Sequence, residues 1–390
     1  MHPIVIIGSG MAAYAVAREF RKLNPEHELV MICADDAVNY AKPTLSNALT
    51  AQKKPDQIAL GDAEKMSAQL NMRIETQTWV KHIDAEQHLL HLEKQGQDST
   101  QAYSKLVLAL GATPIRPQFT ADAAQDILVV NHLDDYKQFR EQLDAQQAKH
   151  ILILGAGLIG CEFANDLNNN GYQVTVVDLA AQTLGRLLPE VAAGHFQAGL
   201  ERAGIEFILT NTLTHLEKNA DGTFQAHLND GQTITTDAVL SAIGLKPNTE
   251  LAERASIVVN RGIVADLHLQ TNQADIYAVG DCAEVNDTLL PYVMPIMQQA
   301  RALAKTLNGE RTTVHYPAMP VAVKTPVLPL TVLPVPANVD VHWETEHLED
   351  GMIAKAIDTN ATLRGFVLLG STAAKQRLTL TKLVPDLIPA

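Results

Sequence analysis

The chain has 390 residues, of which 46% are hydrophobic and 19% are charged, and its formal net charge is −14. That length predicts two or three domains, and the composition is typical of a globular protein. A strongly negative molecule repels polyphosphate, which argues against nucleic acid and anionic membranes as partners. No apolar run approaches the ~20 residues that a membrane-spanning helix needs. The run Ile4 to Ile7 stops at Gly8, so no signal peptide is expected.

The three cysteines, Cys33, Cys161 and Cys282, are scattered and form neither a CxxC nor a CxxxxC motif. Their odd number and spacing argue against a disulfide framework and predict a reducing, cytoplasmic location. The spacing also argues against a redox-active dithiol. The 14 histidines show no HExxH or Cys/His ligand pattern, so no metal site is expected.

A first nucleotide site is predicted at the start of the chain. A β-branched run, residues 4–7, leads into the motif Gly8-Ser9-Gly10-Met11-Ala12-Ala13 and then into a helix to about Leu23. In such a motif the first glycine permits a tight turn, and the second lets the backbone approach a pyrophosphate at the helix N-terminus. The next predicted strand, 29–33, is followed by Asp35, whose carboxylate could accept hydrogen bonds from ribose hydroxyls.

A second copy of this pattern occurs near the middle of the chain. The run 151–154 leads into Gly155-Ala156-Gly157-Leu158-Ile159-Gly160, and the strand 174–177 ends at Asp178, roughly 20 residues after Gly155. Asp178 favours NAD over NADP, because a carboxylate repels a 2′-phosphate and no arginine directly follows it. Two such sites indicate two dinucleotides, which is what a flavoprotein that takes hydride from NADH onto FAD requires.

Three connecting stretches carry a family resemblance. YSKLVLALGATP (103–114) and TDAVLSAIGLKP (236–247) resemble the strands that leave and re-enter the FAD domain in flavoprotein reductases with two dinucleotide-binding domains. DIYAVGD (275–281) resembles their second FAD signature, in which the terminal aspartate, here Asp281, binds the ribitol chain. The resemblance implies an α/β fold with two Rossmann-like dinucleotide-binding domains, one for FAD and one for NAD, and a small α+β C-terminal domain.

The same resemblance implies domain boundaries. The FAD-binding domain is expected to be discontinuous and to comprise residues 1–115 and 243–315, with an NAD-binding domain, 116–242, inserted between the two parts. Residues 316–390 are expected to form the C-terminal domain of antiparallel strands and a short helix. Prolines concentrated between positions 317 and 336 argue against a helix in its first part.

One stretch near the first site departs from the family pattern. Residues 40–46, YAKPTLS, resemble the YDRPPLSK-like stretch of oxygenase ferredoxin reductases and of apoptosis-inducing factor. Lys42 replaces the arginine of that pattern, and Asn47 replaces the lysine that forms an ion pair with the glutamate of the second fingerprint helix. That glutamate is present as Glu162. The substitution leads us to expect that Lys42 forms the ion pair with Glu162 beside the flavin.

The C-terminal part narrows the resemblance. YPAMPVAVKTPVLPL (316–330) is similar to a stretch of bacterial rubredoxin–NAD reductases whose lysine, here Lys324, reaches the flavin pyrimidine edge. The tryptophan-rich segment of oxygenase ferredoxin reductases is missing. The resemblance implies that rubredoxin is the one-electron acceptor protein. In that family rubredoxin often passes the electrons on to alkane hydroxylation. Because rubredoxins tend to be acidic, Arg301, Lys305 and Arg311 are candidates for a basic docking patch.

The expected site residues follow from both fingerprints and the resemblance. Lys42, Glu162 and Lys324 are expected to tune the flavin, and no acid, base or nucleophile is required. Val80 is expected to contact adenine, and Val293 to begin a helix aimed at the flavin. The expected FAD-binding residues are Ser9, Gly10, Met11, Ala12, Cys33, Ala34, Asp35, Lys42, Val80, Glu162, Asp281, Val293 and Lys324. The expected NAD-binding residues are Gly155, Gly157, Leu158, Ile159, Gly160 and Asp178.

Three alternatives remain open. A ferredoxin reductase would share the fold and differ in its acceptor. An NADH oxidase or peroxidase resembles this chain to about residue 310, but it uses a redox cysteine, and residues 40–50 contain none. A regulatory protein could hold both nucleotides without turnover. Rapid bleaching of the flavin by NADH, followed by many turnovers with a one-electron acceptor, would separate an enzyme from a sensor.

Overall fold

The computed structural model of the chain describes residues 2–117, 123–336 and 338–388. Its 3₁₀ segments are Lys42–Asn47, Pro55–Gln57, Ala124–Asp126 and Gly280–Cys282. Among the described residues the α-helices are Met11–Leu23 (α1), Ala63–Leu70 (α2), Leu133–Ala145 (α3), Leu158–Asn168 (α4), Glu190–Arg202 (α5), Glu250–Arg254 (α6), Val293–Leu307 (α7), Ser371–Ala374 (α8) and Arg377–Thr381 (α9). None of these helices is long and apolar enough to cross a membrane.

The first parallel sheet is built around the N-terminal strand. Ile4–Ile7 is buried on both faces and pairs in parallel with a strand on each side, with Ile4 opposite Leu29 on one and Lys105 on the other. Such a strand is typical of the centre of a doubly wound sheet. The strands, in order across the sheet, are Ile276–Ala278, Lys105–Leu108, Ile4–Ile7, Leu29–Ile32 and Arg73–Glu75.

The second parallel sheet repeats this arrangement around the second fingerprint. Its central strand precedes α4 in the same way that Ile4–Ile7 precedes α1. The strands, in order, are Ile205–Leu209, Gln173–Asp178, His150–Leu154 and Ala238–Ser241. Helices α3 and α5 bury Phe139 and Phe196 in a core that also contains residues of this sheet.

Shorter strand pairs, most of them antiparallel, complete these two units. Ala112–Pro114 pairs with Leu245–Pro247, so the segment that leaves the first unit runs antiparallel to the segment that returns to it. Each unit also carries a three-stranded antiparallel sheet, which the sequence patterns did not predict. One contains Trp79–Asp84, Leu89–Lys94 and Gln97–Ala102, and the other Leu213–Lys218, Phe224–Leu228 and Thr233–Thr236. The remaining strands are Asn39–Tyr40 with Ala59–Gly61, and Ile263–Ala265, Ala283–Val285 and Thr288–Leu289.

The C-terminal unit is an antiparallel sheet with two short helices, α8 and α9. Its strands, in order across the sheet, are Val321–Val323, Leu330–Leu333, Leu363–Leu369, Gly351–Asp358 and Val341–Leu348. One face of this sheet shares a hydrophobic core with the second unit: Val332 and Met352 cluster with Phe163 of α4 and Phe196 of α5. The C-terminal unit is therefore packed onto the second unit through a common core.

The fold class predicted from the sequence is confirmed. The chain forms two Rossmann-like parallel α/β units and a small α+β unit. The first helix ends at Leu23 as predicted, and a helix begins at Val293 as predicted. The second strand ends at Ile32, one residue earlier than predicted, although the Cys33 N–H still donates to the carbonyl oxygen of Glu75 in the neighbouring strand.

The contact between α5 and the C-terminal unit can be tested at one glycine. A Cβ on Gly199 would lie 2.5 Å from Cδ2 of the buried Leu328, whereas a Cβ on Gly194 of the same helix meets nothing within 4 Å. We expect Gly199→Val to destabilise the protein by ~1–3 kcal/mol through overpacking. Gly194→Val should change stability by no more than ~0.5 kcal/mol. Chemical denaturation of both variants measures this difference, and equal effects would contradict the packing argument.

Candidate active site

The first fingerprint forms a tight turn at the carboxyl end of its strand. Gly8 has φ +114°, and a Cβ there would lie 2.3 Å from the carbonyl oxygen of Ala109. Gly10 is the N-cap of α1, makes no side-chain cap, and would have nothing within 4 Å of an added Cβ. The turn thus packs closely against Ala109 at Gly8 and leaves open space beside Gly10. That space fits a pyrophosphate approaching the backbone.

Asp35 closes the same turn from the neighbouring strand. Both of its carboxylate oxygens lie 2.6 Å from the Ser9 hydroxyl, which donates to them. The N–H of Ala37 donates to the same carboxylate at 3.0 Å. These hydrogen bonds fix the acid beside the fingerprint, where it could accept further hydrogen bonds from a ribose.

The second fingerprint has the same geometry. Gly155 has φ +106°, and a Cβ there would lie 2.6 Å from the carbonyl oxygen of Ala242. A Cβ on Gly160 would lie 1.8 Å from the carbonyl oxygen of Gly155, so the third glycine is required for α4 to approach its strand. Gly157 is the open N-cap of α4.

Asp178 holds the second turn as Asp35 holds the first. Its carboxylate accepts the N–H of Ala156 at 2.5 Å and the N–H of Ala180 at 2.7 Å. The side chain is half-buried, at the end of the strand Gln173–Asp178. This is the position from which an acid distinguishes a ribose hydroxyl from a ribose phosphate.

Three helices leave their N-terminal backbone N–H groups free for anions. The N-cap residues of α1, α4 and α7 make no side-chain hydrogen bond, and the first turns of these helices contain no acidic residue. The other helices of eight or more described residues, α2, α3 and α5, each have an acid in the first turn. Uncapped N-termini favour negative charge, so these three could receive anionic groups of a ligand.

A cavity of about 1780 Å³ joins the two fingerprints. That is larger than the roughly 300–1,000 Å³ of a site for one drug-sized ligand. Every expected FAD-binding residue lines it, from Ser9 to Lys324. Of the expected NAD-binding residues, Leu158 and Ile159 line the cavity, while Gly155, Gly157, Gly160 and Asp178 do not. The FAD-binding and NAD-binding roles of these residues stay predictions. The expected FAD-binding residues lie together in the cavity, and the expected NAD-binding residues reach the cavity through Leu158 and Ile159 at the start of α4.

The cationic partner of Glu162 is Lys324, so the predicted pair of Glu162 with Lys42 is wrong. Nζ of Lys324 forms a short ion pair with Oε2 of Glu162, and the Lys324 backbone N–H donates to Oε1 at 3.0 Å. Ser46 completes the cluster. Its hydroxyl donates to Oε2 of Glu162 at 2.7 Å and accepts from Nζ of Lys324 at 2.9 Å. No role was predicted for Ser46, although it lies in the stretch YAKPTLS that carries part of the family resemblance.

The backbone explains why Lys42 does not reach Glu162. Lys42 begins the 3₁₀ segment Lys42–Asn47, and it is Ser46, further along that segment, that contacts α4. Lys42 lines the cavity and forms no ion pair with the described carboxylates. Burial lowers the pKa of Lys42, and the charges of Asp281 and Asp135 oppose that shift. Lys42 is therefore a cation available to a ligand in the cavity.

Asp281 and α7 form another part of the cavity wall. Gln299 of α7 accepts the N–H of Gly280 at 2.7 Å and donates to the Tyr316 hydroxyl at 2.8 Å, which fixes the turn that presents Asp281 to the cavity. Burial raises the pKa of Asp281, and the charge of Lys42 opposes that shift. Val293, the first residue of α7, lines the cavity as well.

The basic patch suggested by the sequence lies away from this cavity. Helix α7 begins at the cavity, so Lys305, twelve residues after Val293, lies on the order of 18 Å further along the helix axis. Lys305 and Arg311 are also occupied by the surface ion pairs Lys305–Glu310 and Arg311–Asp266. The structure does not favour Arg301, Lys305 and Arg311 as the docking patch.

The family follows from comparisons with known proteins. The model for pyridine nucleotide-disulphide oxidoreductases matches residues 2–306, and the model described as the rubredoxin binding C-terminal domain matches residues 313–384. The chain belongs to the pyridine nucleotide-disulphide oxidoreductase family and, within it, to the rubredoxin–NAD(+) reductases. It is 67% identical to the rubredoxin–NAD(+) reductase of Acinetobacter baylyi and 42% identical to that of Alcanivorax borkumensis, in both cases over 100% of each chain.

More distant relatives share the fold. The nitric oxide reductase FlRd–NAD(+) reductase of Klebsiella pneumoniae is 40% identical over 94% of each chain. A ferredoxin reductase structure from Rhodopseudomonas palustris matches with a TM-score of 0.88 at 25% identity, covering 99% of this chain and 96% of that chain. The covalent putidaredoxin reductase–putidaredoxin complex matches with a TM-score of 0.87 at 23% identity, covering 98% and 94%.

The position of Asp178 predicts the nicotinamide preference. We expect the wild type to use NADH with a kcat/KM at least about tenfold above that for NADPH, because the carboxylate repels a 2′-phosphate. Asp178→Asn combined with Leu179→Arg should shift the ratio towards NADPH. The matched control is Asp35→Asn in the first fingerprint, which should leave that ratio unchanged. Equal use of both nucleotides by the wild type would refute the role of Asp178.

The Glu162 cluster predicts which lysine is coupled to it. Glu162→Gln should slow flavin reduction by NADH about tenfold, equivalent to ~1.4 kcal/mol. In double-mutant cycles for stability, Glu162→Gln with Lys324→Met should show a coupling of at least ~1 kcal/mol, whereas Glu162→Gln with Lys42→Met should be additive within ~0.5 kcal/mol. A larger coupling for Lys42 than for Lys324 would contradict the observed pairing.

Proposed function

We propose that this chain reduces rubredoxin at the expense of NADH, with FAD as its bound cofactor. The observation that carries this function is the cavity that joins the first fingerprint, the start of α4 and the C-terminal unit. FAD, when bound, accepts two electrons together as hydride and releases them singly, so it can connect a nicotinamide to a one-electron carrier. The chain itself provides binding, orientation and electrostatics.

The residues of the first site would hold FAD along the cavity. The open N-terminus of α1 offers the backbone N–H groups of Met11 and Ala12 to the pyrophosphate. Asp35 would accept hydrogen bonds from the adenosine ribose, and Val80 would contact adenine. Asp281 would bind the ribitol chain at the far end of the cavity, where Lys42 is also located.

NADH would enter along the second fingerprint. Asp178 and the open N-terminus of α4 would hold its ribose and pyrophosphate outside the shared cavity. Leu158 and Ile159 then lead into the cavity, so the nicotinamide could reach the flavin from this side. Holding both rings in one geometry supplies much of the rate advantage of such a transfer.

Two positive features lie at the flavin end of the cavity. Lys42 carries a charge that is not neutralised by an ion pair among the described residues. The N-terminus of α7 adds the positive end of a helix dipole at Val293. Preorganised positive charge in a partly buried site stabilises negative charge without reorganisation. Lys324 is instead paired with Glu162, so its role is to fix the wall of the cavity as much as to supply charge.

The alternatives within the same fold lack support from the site. An NADH oxidase or peroxidase needs a reactive thiol, but the cavity-lining cysteine is Cys33, and burial strongly raises the pKa of that thiol. A ferredoxin reductase is disfavoured by the C-terminal match to a rubredoxin binding domain. We also propose a cytoplasmic location, which the free thiols of Cys33, Cys161 and Cys282 support. Alkane hydroxylation as the use of the electrons rests on the resemblance alone.

The proposed domain boundaries remain 1–115 with 243–315, 116–242 and 316–390. The antiparallel pair of Ala112–Pro114 with Leu245–Pro247 supports the first crossing between units. The family model for the C-terminal domain, which matches 313–384, supports the last boundary.

A different basic surface lies next to the cavity, on the C-terminal unit. Arg377 lines the cavity, and Lys375 and Lys382 flank it on the same exposed segment. None of the three forms an ion pair with a described residue. Leu378 and Leu383 of this segment are 69% and 61% exposed. A small surface that combines cations with apolar side chains suits a short-lived complex with an acidic carrier.

The acceptor and its docking surface can be tested together in steady state. We expect faster turnover with rubredoxin than with a [2Fe–2S] ferredoxin, and a rate that falls as ionic strength rises. Lys375→Glu with Lys382→Glu should raise the KM for rubredoxin about fivefold. The matched pair Arg301→Glu with Lys305→Glu should not. Faster turnover with ferredoxin at low and high salt would overturn the acceptor, and a stronger effect of the second pair would relocate the docking surface.

A further inference from the structure

Asp166 is a buried carboxylate on α4, one helical turn after Glu162. The two residues are 1% and 6% exposed. Their spacing of four residues places both on the same face of the helix. Both carboxylates are directed at the segment 42–50, which passes over that face, but only Glu162 lines the cavity.

Asp166 binds two consecutive backbone N–H groups of that segment. Oδ2 accepts from Leu49 at 3.1 Å, and Oδ1 accepts from Thr50 at 2.7 Å. Burial raises the pKa of Asp166, while the donors of the segment and the charge of Arg140 oppose that shift. Hydrogen bonds to a charged acceptor are stronger than those between neutral groups, so this is a strong local anchor.

The anchored segment forms one wall of the cavity. Lys42, Leu45 and Ser46 line the cavity, and Ser46 contacts both Glu162 and Lys324. The segment is thus attached to α4 through Ser46 and through the Asp166 anchor, with a longer hydrogen bond of 3.5 Å from Asn169 at the end of α4 to the Thr50 hydroxyl. With the Asp166 anchor released, the backbone that carries Lys42 and Ser46 would be held by Ser46, by the long Asn169–Thr50 hydrogen bond and by apolar packing.

We propose that Asp166 is a positioning residue that fixes the segment 42–50 against α4 and so sets Lys42 and Ser46 in place on the flavin side of the cavity. This rests on the proposed function to the extent that the cavity holds FAD. The nicotinamide dinucleotide is expected to be unaffected, because Asp166 lies nine residues beyond Gly157, on the order of 13 Å along the helix axis. Loss of the anchor should therefore change FAD retention and the limiting rate of flavin reduction, and leave the KM for NADH unchanged.

The experiment compares two aspartates that make the same kind of anchor. Asp237 accepts the N–H groups of Lys149 at 2.7 Å and His150 at 2.8 Å, away from the cavity. The variants are Asp166→Asn and Asp237→Asn, each studied as the FAD-loaded protein. The readouts are the rate of FAD release on dilution, followed by flavin fluorescence, and the bleaching of flavin absorbance by NADH in a stopped-flow instrument.

Asp166→Asn is expected to speed FAD release and to slow the limiting rate of flavin bleaching, each about tenfold, because small displacements in a positioned site cost rate steeply. Asp237→Asn weakens the same kind of backbone anchor and should leave both readouts within about twofold of the wild type. Thr50→Ala is a milder variant that keeps both backbone donors and removes the Thr50 hydroxyl, which lies beside Asp166 and accepts from Asn169 at 3.5 Å; it should shift both readouts in the same direction by about twofold.

Unchanged FAD release and bleaching in both Asp166→Asn and Thr50→Ala would overturn the proposal, as would equal effects of Asp166→Asn and Asp237→Asn. None of these measurements uses an acceptor protein. Failure of rubredoxin as acceptor would therefore leave the Asp166 result standing, and failure of the Asp166 prediction would leave the acceptor assignment standing.

Discussion

The partly buried ion pair between Glu162 and Lys324 is the interaction on which the active site depends. Three separate parts of the chain meet there: Glu162 comes from the helix of the second fingerprint, Lys324 from the C-terminal unit, and Ser46 from the first unit. Removing Lys324 would leave the buried carboxylate of Glu162 without its cationic partner, which is destabilising. This wall of the cavity is therefore built jointly by all three units.

The two fingerprints have the same backbone geometry, which can serve two different ligands. In each, a glycine with positive φ lies under a carbonyl of a neighbouring strand, and an aspartate at the end of the next strand fixes the turn. The difference lies in the surroundings of each turn. Asp35 and the first turn open into the long cavity, whereas Asp178 lies outside it. That contrast suits an embedded cofactor at the first site and an exchangeable substrate at the second.

Local patterns predicted the features that depend on local geometry. The fingerprints, the helix starts and the acids after each strand could be predicted from the sequence because their spacing is set by the backbone of one βαβ unit. The partner of Glu162 could not. Lys42 and Lys324 are both plausible cations in sequence, and only the packing of Val321–Val323 beside α4 decides between them. The two three-stranded antiparallel sheets were missed because a fingerprint specifies only the strand, turn and helix of its own βαβ unit.

The close approach of Gly199 to Leu328 has a consequence for engineering. Because the C-terminal unit shares its core with α5 and its lysine with α4, it cannot be treated as an interchangeable module. A chimaera that borrows this unit from another reductase, in order to change its electron carrier, would have to bring a lysine equivalent to Lys324 and a side chain that fits over a glycine. Replacing the C-terminal unit would therefore affect both the choice of electron acceptor and the packing of the protein.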